Sequence, residues 1–255
     1  MTTTYRVRLG AILLAGAVVG PPARGDEAPE TIREATAAAT ILVEVDPAIL
    51  QVPKLSTRIR REVTRSVAAW KAEAEAERAN NPEAFRDGRR WSFEQSYRLR
   101  FASTRWVSVG VTTEAYTGGA HGATAFEAIN WDKARETRFG LGEILTETRS
   151  GGPALTALAA GLRKAVMAEK AERGVETAGR EEDIAAALPA DASELPPFTL
   201  EPAGKAGKAT GLRFAIEHYL VGSYAEGTYS VVVPTGAFVR FIRPEMRGLF
   251  VGGER

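Results

Sequence analysis

Cysteine is absent from the 255 residues, so no disulfide staples this chain and no thiolate serves as nucleophile or metal ligand. Histidine occurs only twice, as His121 and His218. A metal site needs several convergent N, O or S ligands, and here carboxylates such as Glu114, Glu127, Asp132 or Glu217 would have to supply most of them; no metal and no cofactor is expected. Neither histidine is accompanied by a Gly-x-Ser-x-Gly elbow, which removes the usual serine-hydrolase arrangement. The Gly204 to Gly211 stretch lacks the Gly-x-x-x-x-Gly-Lys-Ser/Thr spacing that cradles phosphate. An excess of one charge is missing too. With 33 basic and 32 acidic residues, the chain carries no nucleic-acid footprint.

Long apolar runs are equally scarce. Arg6 and Arg8 precede the uncharged stretch Leu9 to Gly20, followed by Pro21, Pro22 and the small-x-small triplet Ala23-Arg24-Gly25. This is the layout of a secretory signal peptide, with cleavage expected after Gly25 and a periplasmic or secreted product. A bilayer span needs roughly 20 apolar residues, a length that nothing after Gly25 reaches, so no stable membrane span is expected after processing. Removing Arg6, Arg8 and Arg24, the only charged residues of the leader, leaves 30 basic against 32 acidic residues. Without disulfides, an exported domain of this size must hold itself together by burial.

The remaining sequence divides by period. Ile41 to Val45 is β-branched and stops at Pro47, which predicts a strand. Leu55, Ile59, Val63, Val67 and Trp70 recur at helical spacing, with Arg58, Arg60, Arg61, Glu62 and Arg65 on the other side. The tail of that helix, Ala72 to Ala79, has nothing to bury and is expected to project into solvent until Asn80-Asn81-Pro82 ends it. From Trp91 to Phe101, and again from Val107 to Val111, the period is two, and Phe126 to Trp131 adds a strand across a turn at Thr117 to Gly122. Short and longer helices are expected at Gly140 to Leu145 and Ala154 to Lys170. The charged segment Glu172 to Glu194, with a short apolar patch from Ile184 to Leu188, is expected to be a poorly packed connection that holds at most one helical turn. Strands at Leu212 to Ile216 and Tyr229 to Val233 and a terminal helix at Thr235 to Phe241 complete the pattern. Strands and helices in blocks favour an α+β fold, an antiparallel sheet with packed helices in two intimately associated halves. Trp70, Phe93, Leu99, Val109, Leu158, Phe214 and Val231 are the predicted core.

Both histidines sit in unusual segments. His121 lies among Gly118, Gly119 and Gly122, where its imidazole either closes the loop or is displayed at a site. Tyr219, Tyr224 and Tyr229 recur at steps of five beside Gly222 and Gly227, a spacing that alternates faces in a strand. Tyr219 and Tyr229 are expected to pack partly into the core, with Tyr224 either structural or displayed for protein or glycan contact. The Glu217-His218 pair is the nearest thing to a general acid or base.

Tyr116-Thr-Gly-Gly-Ala-His121-Gly resembles the Gly-Gly-Ala-His turn of the RsiV-like domain. His218-Tyr-Leu-Val-Gly-Ser-Tyr-Ala-Glu-Gly-Thr-Tyr-Ser-Val-Val-Val-Pro234 resembles that domain's Tyr-x-x-x-x-Tyr-Ala-x-Gly-x-x-x-Val-x-x-Pro run. The resemblance runs from Thr40 to Phe241, more specifically from Tyr116 onward, and implies a PdaC-type half over residues 26–135 and an RsiV-like half over 136–255. It departs from the family pattern at Thr137-Arg138-Phe139-Gly140 and in the long charged segment 172–194. Such paired domains form the lysozyme-sensing outer part of an anti-sigma factor and a non-catalytic portion of some peptidoglycan deacetylases. The resemblance therefore implies a non-catalytic binding module of the cell envelope, with a lysozyme-like muramidase or peptidoglycan as partner. No family catalytic residue transfers, and only eight residues precede Leu9, too few for a cytoplasmic sigma-binding segment. Candidate binding residues are Tyr116, Gly118, Gly119, His121, Tyr219 and Tyr224. The alternative is an envelope hydrolase acting on glycan or acetyl esters through His121 or His218. Oligomeric state is left open.

Overall fold

The computed structural model describes residues 28–204 and 207–253. The expected signal peptide and its cleavage point after Gly25 lie outside the described residues. Strands β1 (Glu30–Ala35), β2 (Ala39–Val45), β3 (Trp91–Ala102), β4 (Trp106–Tyr116), β5 (Ala123–Asp132) and β6 (Thr137–Arg138) form a sheet in that order. A second sheet holds β7 (Phe198–Pro202), β8 (Ala209–Ile216) and β9 (Tyr229–Pro234). The helices are α1 (Pro47–Leu50), α2 (Pro53–Asn80), α3 (Leu141–Ile144), α4 (Pro153–Glu172), α5 (Glu181–Ala187) and α6 (Pro244–Arg247). The fold is α+β, but its larger sheet is not uniformly antiparallel. β1 pairs antiparallel with β2, whereas β2 pairs parallel with β3, from Ala39 opposite Trp91 to Val45 opposite Tyr97. A parallel pair needs a long crossover, and α2 is that crossover.

By their contacts the residues gather into two compact units, one reaching to Arg98 and resuming at Thr112–Ala125, the other formed by Leu99–Val111 and Phe126 onward. In the first unit, Asp46 caps α1 by accepting the Ala48 amide at 2.9 Å, with Pro47 pre-set for the first helical position. Leu55, Ile59, Val63 and Val67 of α2 are buried, as the helical spacing predicts. Phe93 and Tyr97 are buried on β3, but Trp70 and Leu99 are only half-buried, which corrects the expectation for both. Trp70 closes the end of the apolar stripe and lies against Trp91 and Phe93 at ring separations of 5.4 and 5.3 Å. The helix tail is mostly exposed, yet Ala74 is fully buried beside Ala38, Ala39 and Phe85, because the 3-10 turn Pro82–Gly88 folds back under it.

In the second unit, Leu155, Leu158, Leu162 and Val166 of α4 bury against a core that includes Phe214, Ile216, Val231 and Val233. The charged connection is better packed than expected. Its helical turn is there as α5, seven residues long, and Ile184 and Leu188 of the apolar patch join the same core. The strand β7 is not among the predicted strands, although Phe198-Thr-Leu-Glu201 alternates apolar and polar residues; it pairs with β8 and is tied by a buried polar bridge. The Ser108 hydroxyl donates to Asn130 Oδ1 at 2.6 Å, the Asn130 side-chain amide donates to the Phe198 carbonyl at 2.9 Å, and the Leu200 amide donates to the Ser108 hydroxyl at 3.2 Å. A fully paired network of this kind specifies register as well as affinity between strands. The expected terminal helix is two 3-10 turns, Thr235–Ala237 and Val239–Phe241, with α6 beyond them.

Candidate functional site

Of the six candidate binding residues, four lie in one turn of the first unit. Tyr116 ends β4, 39% exposed, and its hydroxyl donates to the Gly119 carbonyl at 2.9 Å. Gly118 sits at φ +94, a conformation that a side chain would strain. His121 is exposed, with Nδ1 3.0 Å from the Gly122 carbonyl, an acceptor that selects the Nδ1–H form. The turn is therefore closed by its own tyrosine and histidine.

The other two candidates lie in the loop between β8 and β9 of the second unit, and the structure brings them together. Tyr219 and Tyr224 stand with ring centroids 5.7 Å apart, and His218 stacks on Tyr224 at 4.4 Å with 21° between ring planes. Tyr219 does not pack into the core as expected. It is 62% exposed and held at φ +67, and Leu220 beside it is 38% exposed. A bulky residue in the left-handed region costs about 1 to 2 kcal/mol and persists only where the surroundings enforce it. Here the enforced conformation turns an aromatic ring outward.

The same loop is anchored by a charged cluster that is not among the six candidates. The Glu226 carboxylate accepts hydrogen bonds from the buried Lys170 ammonium, from the Tyr229 hydroxyl at 2.6 Å and from the Ser223 amide at 2.9 Å. Arg173 lies over the Tyr229 ring at 4.1 Å and donates to the Glu226 and Thr228 carbonyls at 3.1 and 3.0 Å. A side chain at Gly222 would run into the Glu226 carboxylate. Burial pushes the Glu226 carboxyl up, but the hydrogen bonds from Lys170, Tyr229 and Ser223 and the Lys170 charge outweigh it and hold it at about 2. Burial, together with the hydrogen bond to Glu226 and its charge, pushes the Tyr229 phenol up to about 12. The loop is pinned by charge at its base and shows aromatic rings at its tip. One signal for this was legible: Ser223-Tyr-Ala-Glu226 has the Ser-x-x-Glu spacing of a capping box, and it forms one.

Chemistry at the histidines finds less support. Glu217, the neighbour of His218, accepts the Phe126 amide at 3.0 Å and so holds backbone. Among the described residues, no group of three or more His, Asp or Glu side chains is placed to hold a metal ion, and no helix is long and apolar enough to cross a membrane.

Residues 40–124 match the family model described as Deacetylase PdaC. This PdaC-type region runs from β2 through α2 to the start of β5 and includes the Tyr116 and His121 turn. The fold as a whole is shared with proteins of the DUF3298 family. A crystal structure of a Bacteroides fragilis member superimposes with a TM-score of 0.56 at 15% identity, covering 86% of this chain and 93% of that one. A DUF3298 family protein from Pseudomonas aeruginosa PAO1 gives 0.52 at 15% identity, covering 88% and 97%. No curated protein matches the sequence.

Proposed function

We propose that this chain is an exported, non-catalytic binding module of the bacterial cell envelope, with an RsiV-like C-terminal half that presents its contact surface through the loop of His218, Tyr219 and Tyr224. The observation that carries the proposal is Tyr219, exposed in a left-handed conformation beside the stacked Tyr224 and His218 rings, in a loop anchored at Glu226 by Lys170 and Tyr229. Rigid aromatic area with hydroxyls at its rim suits both the apolar face of a sugar and a protein hot spot, and it is costly to display without a partner. The envelope setting comes from the leader at residues 1–25 and from the PdaC-type match. The partner in this reading is peptidoglycan or a lysozyme-like muramidase. The hydrolase alternative lacks a comparable observation.

Protein recovered from its host's envelope, with Asp26 at its N-terminus as export requires, is the material for the test. It should be retained on peptidoglycan or on an immobilised muramidase. Tyr219→Ala and Tyr224→Ala should each weaken retention by about 2 kcal/mol, roughly thirty-fold, as aromatic hot spots do, with circular dichroism unchanged. Retention unaffected by both substitutions, or absent for both partners, refutes the reading.

A further inference from the structure

The charge on α2 runs against its own dipole. Between Pro53 and Arg65 the helix carries Lys54, Arg58, Arg60, Arg61 and Arg65 against the single acid Glu62, and its first turn has no acidic residue. Between Ser66 and Asn80 it carries Glu73, Glu75 and Glu77 against Lys71 and Arg78. A helix is stabilised by acids in its first turn and bases in its last, so the basic N-terminal end, with Lys54 and no acid in the first turn, runs against helix stability, while Arg78 offsets Glu77 in the last turn. Such a local violation points to use rather than to folding.

Ion pairing divides the five arginines. Arg58 meets Glu62 at 2.9 Å, Arg60 meets Glu30 at 3.0 Å and Arg78 meets Glu75 at 3.8 Å. Arg61 and Arg65 have no partner among the described residues, and both are exposed. They are four residues apart on the side of the helix opposite the buried Leu55, Ile59 and Val63, a spacing at which like charges repel. With Thr57, Arg60 and Thr64 they line an open bowl of about 460 Å³. Guanidinium forks match phosphate geometry in two-point contacts, and successive forks one turn apart, about 6 Å along the axis, suit an anion that repeats.

We propose that the N-terminal half of α2 is a binding surface for a phosphate-bearing polymer, with Arg61 and Arg65 as its principal contacts. A membrane surface fits less well. Among the described residues the exposed large apolar side chains are Tyr116, Tyr219, Leu220 and Val251, none of them on α2, so the helix offers nothing to sink between headgroups. The surface is independent of the aromatic loop.

Short-chain inorganic polyphosphate is the probe, with binding to the mature protein measured by calorimetry at 50 and 200 mM salt. Each phosphate contact on a flexible polyanion contributes about −0.7 to the slope of log K against log salt. The Arg61→Gln/Arg65→Gln double variant should bind at least tenfold more weakly, with a slope flatter by about 1.4, and its melting temperature should not fall. Arg78→Gln, at the far end of the same helix, should bind as the wild type does. Vesicles of phosphatidylglycerol and phosphatidylcholine should not sediment the protein at the same salt. Polyphosphate that fails to bind the wild type, equal binding by the double variant, equal loss in Arg78→Gln, or capture by the vesicles overturns the proposal.

Discussion

Glu226 anchors its loop, accepting from Lys170, Tyr229 and the Ser223 amide just before Tyr224. Its folded-state carboxyl is held at about 2, below the value of roughly 4.3 that it takes in an unfolded chain. A depressed acid contributes stability that is present above the unfolded value and lost as pH falls toward the folded one. Wild type should therefore lose stability between about pH 4.5 and pH 2 more steeply than Glu226→Gln does, as read by urea unfolding at each pH. At neutral pH the same variant leaves the buried Lys170 ammonium without its counter-charge, a change that costs about 3 to 5 kcal/mol. Parallel acid limbs for the two proteins would show that Glu226 is not what pins the loop. At this scale the sequence was partly readable. Ser223 and Glu226 announce their capping box at a spacing of three, while Lys170 lies 56 residues from the acid that it meets, beyond any local pattern. Tyr219 lies outside the core, against the pattern of its sequence, because nothing in its identity signals a positive φ, which Gly and Asn usually occupy.

Among the elements, those with a clear period were legible and those fixed by long-range contacts were not. α2 and α4 follow their 3.6-residue stripes and β3 its alternation, because in each one face is chiefly buried, while the alternating valines of β4 are legible although Ser108 on its other face is buried too. The parallel pairing of β2 with β3 depends on where α2 returns the chain, which leaves no periodic trace, and the alternation in β7 is only four residues long before Pro202, with its partners Ser108 and Asn130 far off in sequence. The segment 172–194 packs more firmly than its charge suggests, since its short apolar patch, through Ile184 and Leu188, is enough to dock a helix of seven. The buried faces can be tested directly. Phe214→Ala removes a fully buried ring from the second unit and Phe93→Ala a 5% exposed one from the first, so each should lower unfolding free energy by about 3 to 5 kcal/mol. Leu99→Ala, at a half-buried position, should cost less than either. Unfolding midpoints unchanged for both phenylalanine variants would show that these faces carry no core.

For the whole molecule, composition excluded more than it identified. The lack of cysteine and the near-balance of charge are met by a chain that relies on extensive apolar burial and contains a PdaC-type region within a fold shared with the DUF3298 family. The motif around His121 pointed to the turn, and the tyrosine run to the loop, but how each is held emerged only from the packing beneath it. Binding without catalysis is the central proposal, and sedimentation with purified peptidoglycan, alone and carrying bound muramidase, tests it most directly when the supernatant is assayed for released glycan and acetate. The protein should enter the pellet while the supernatant stays at the level of a protein-free blank. A catalytic acid or base contributes about 10² to 10⁴ in rate, so released product that disappears in His121→Ala or His218→Ala would contradict it, as would protein that stays in the supernatant with both pellets.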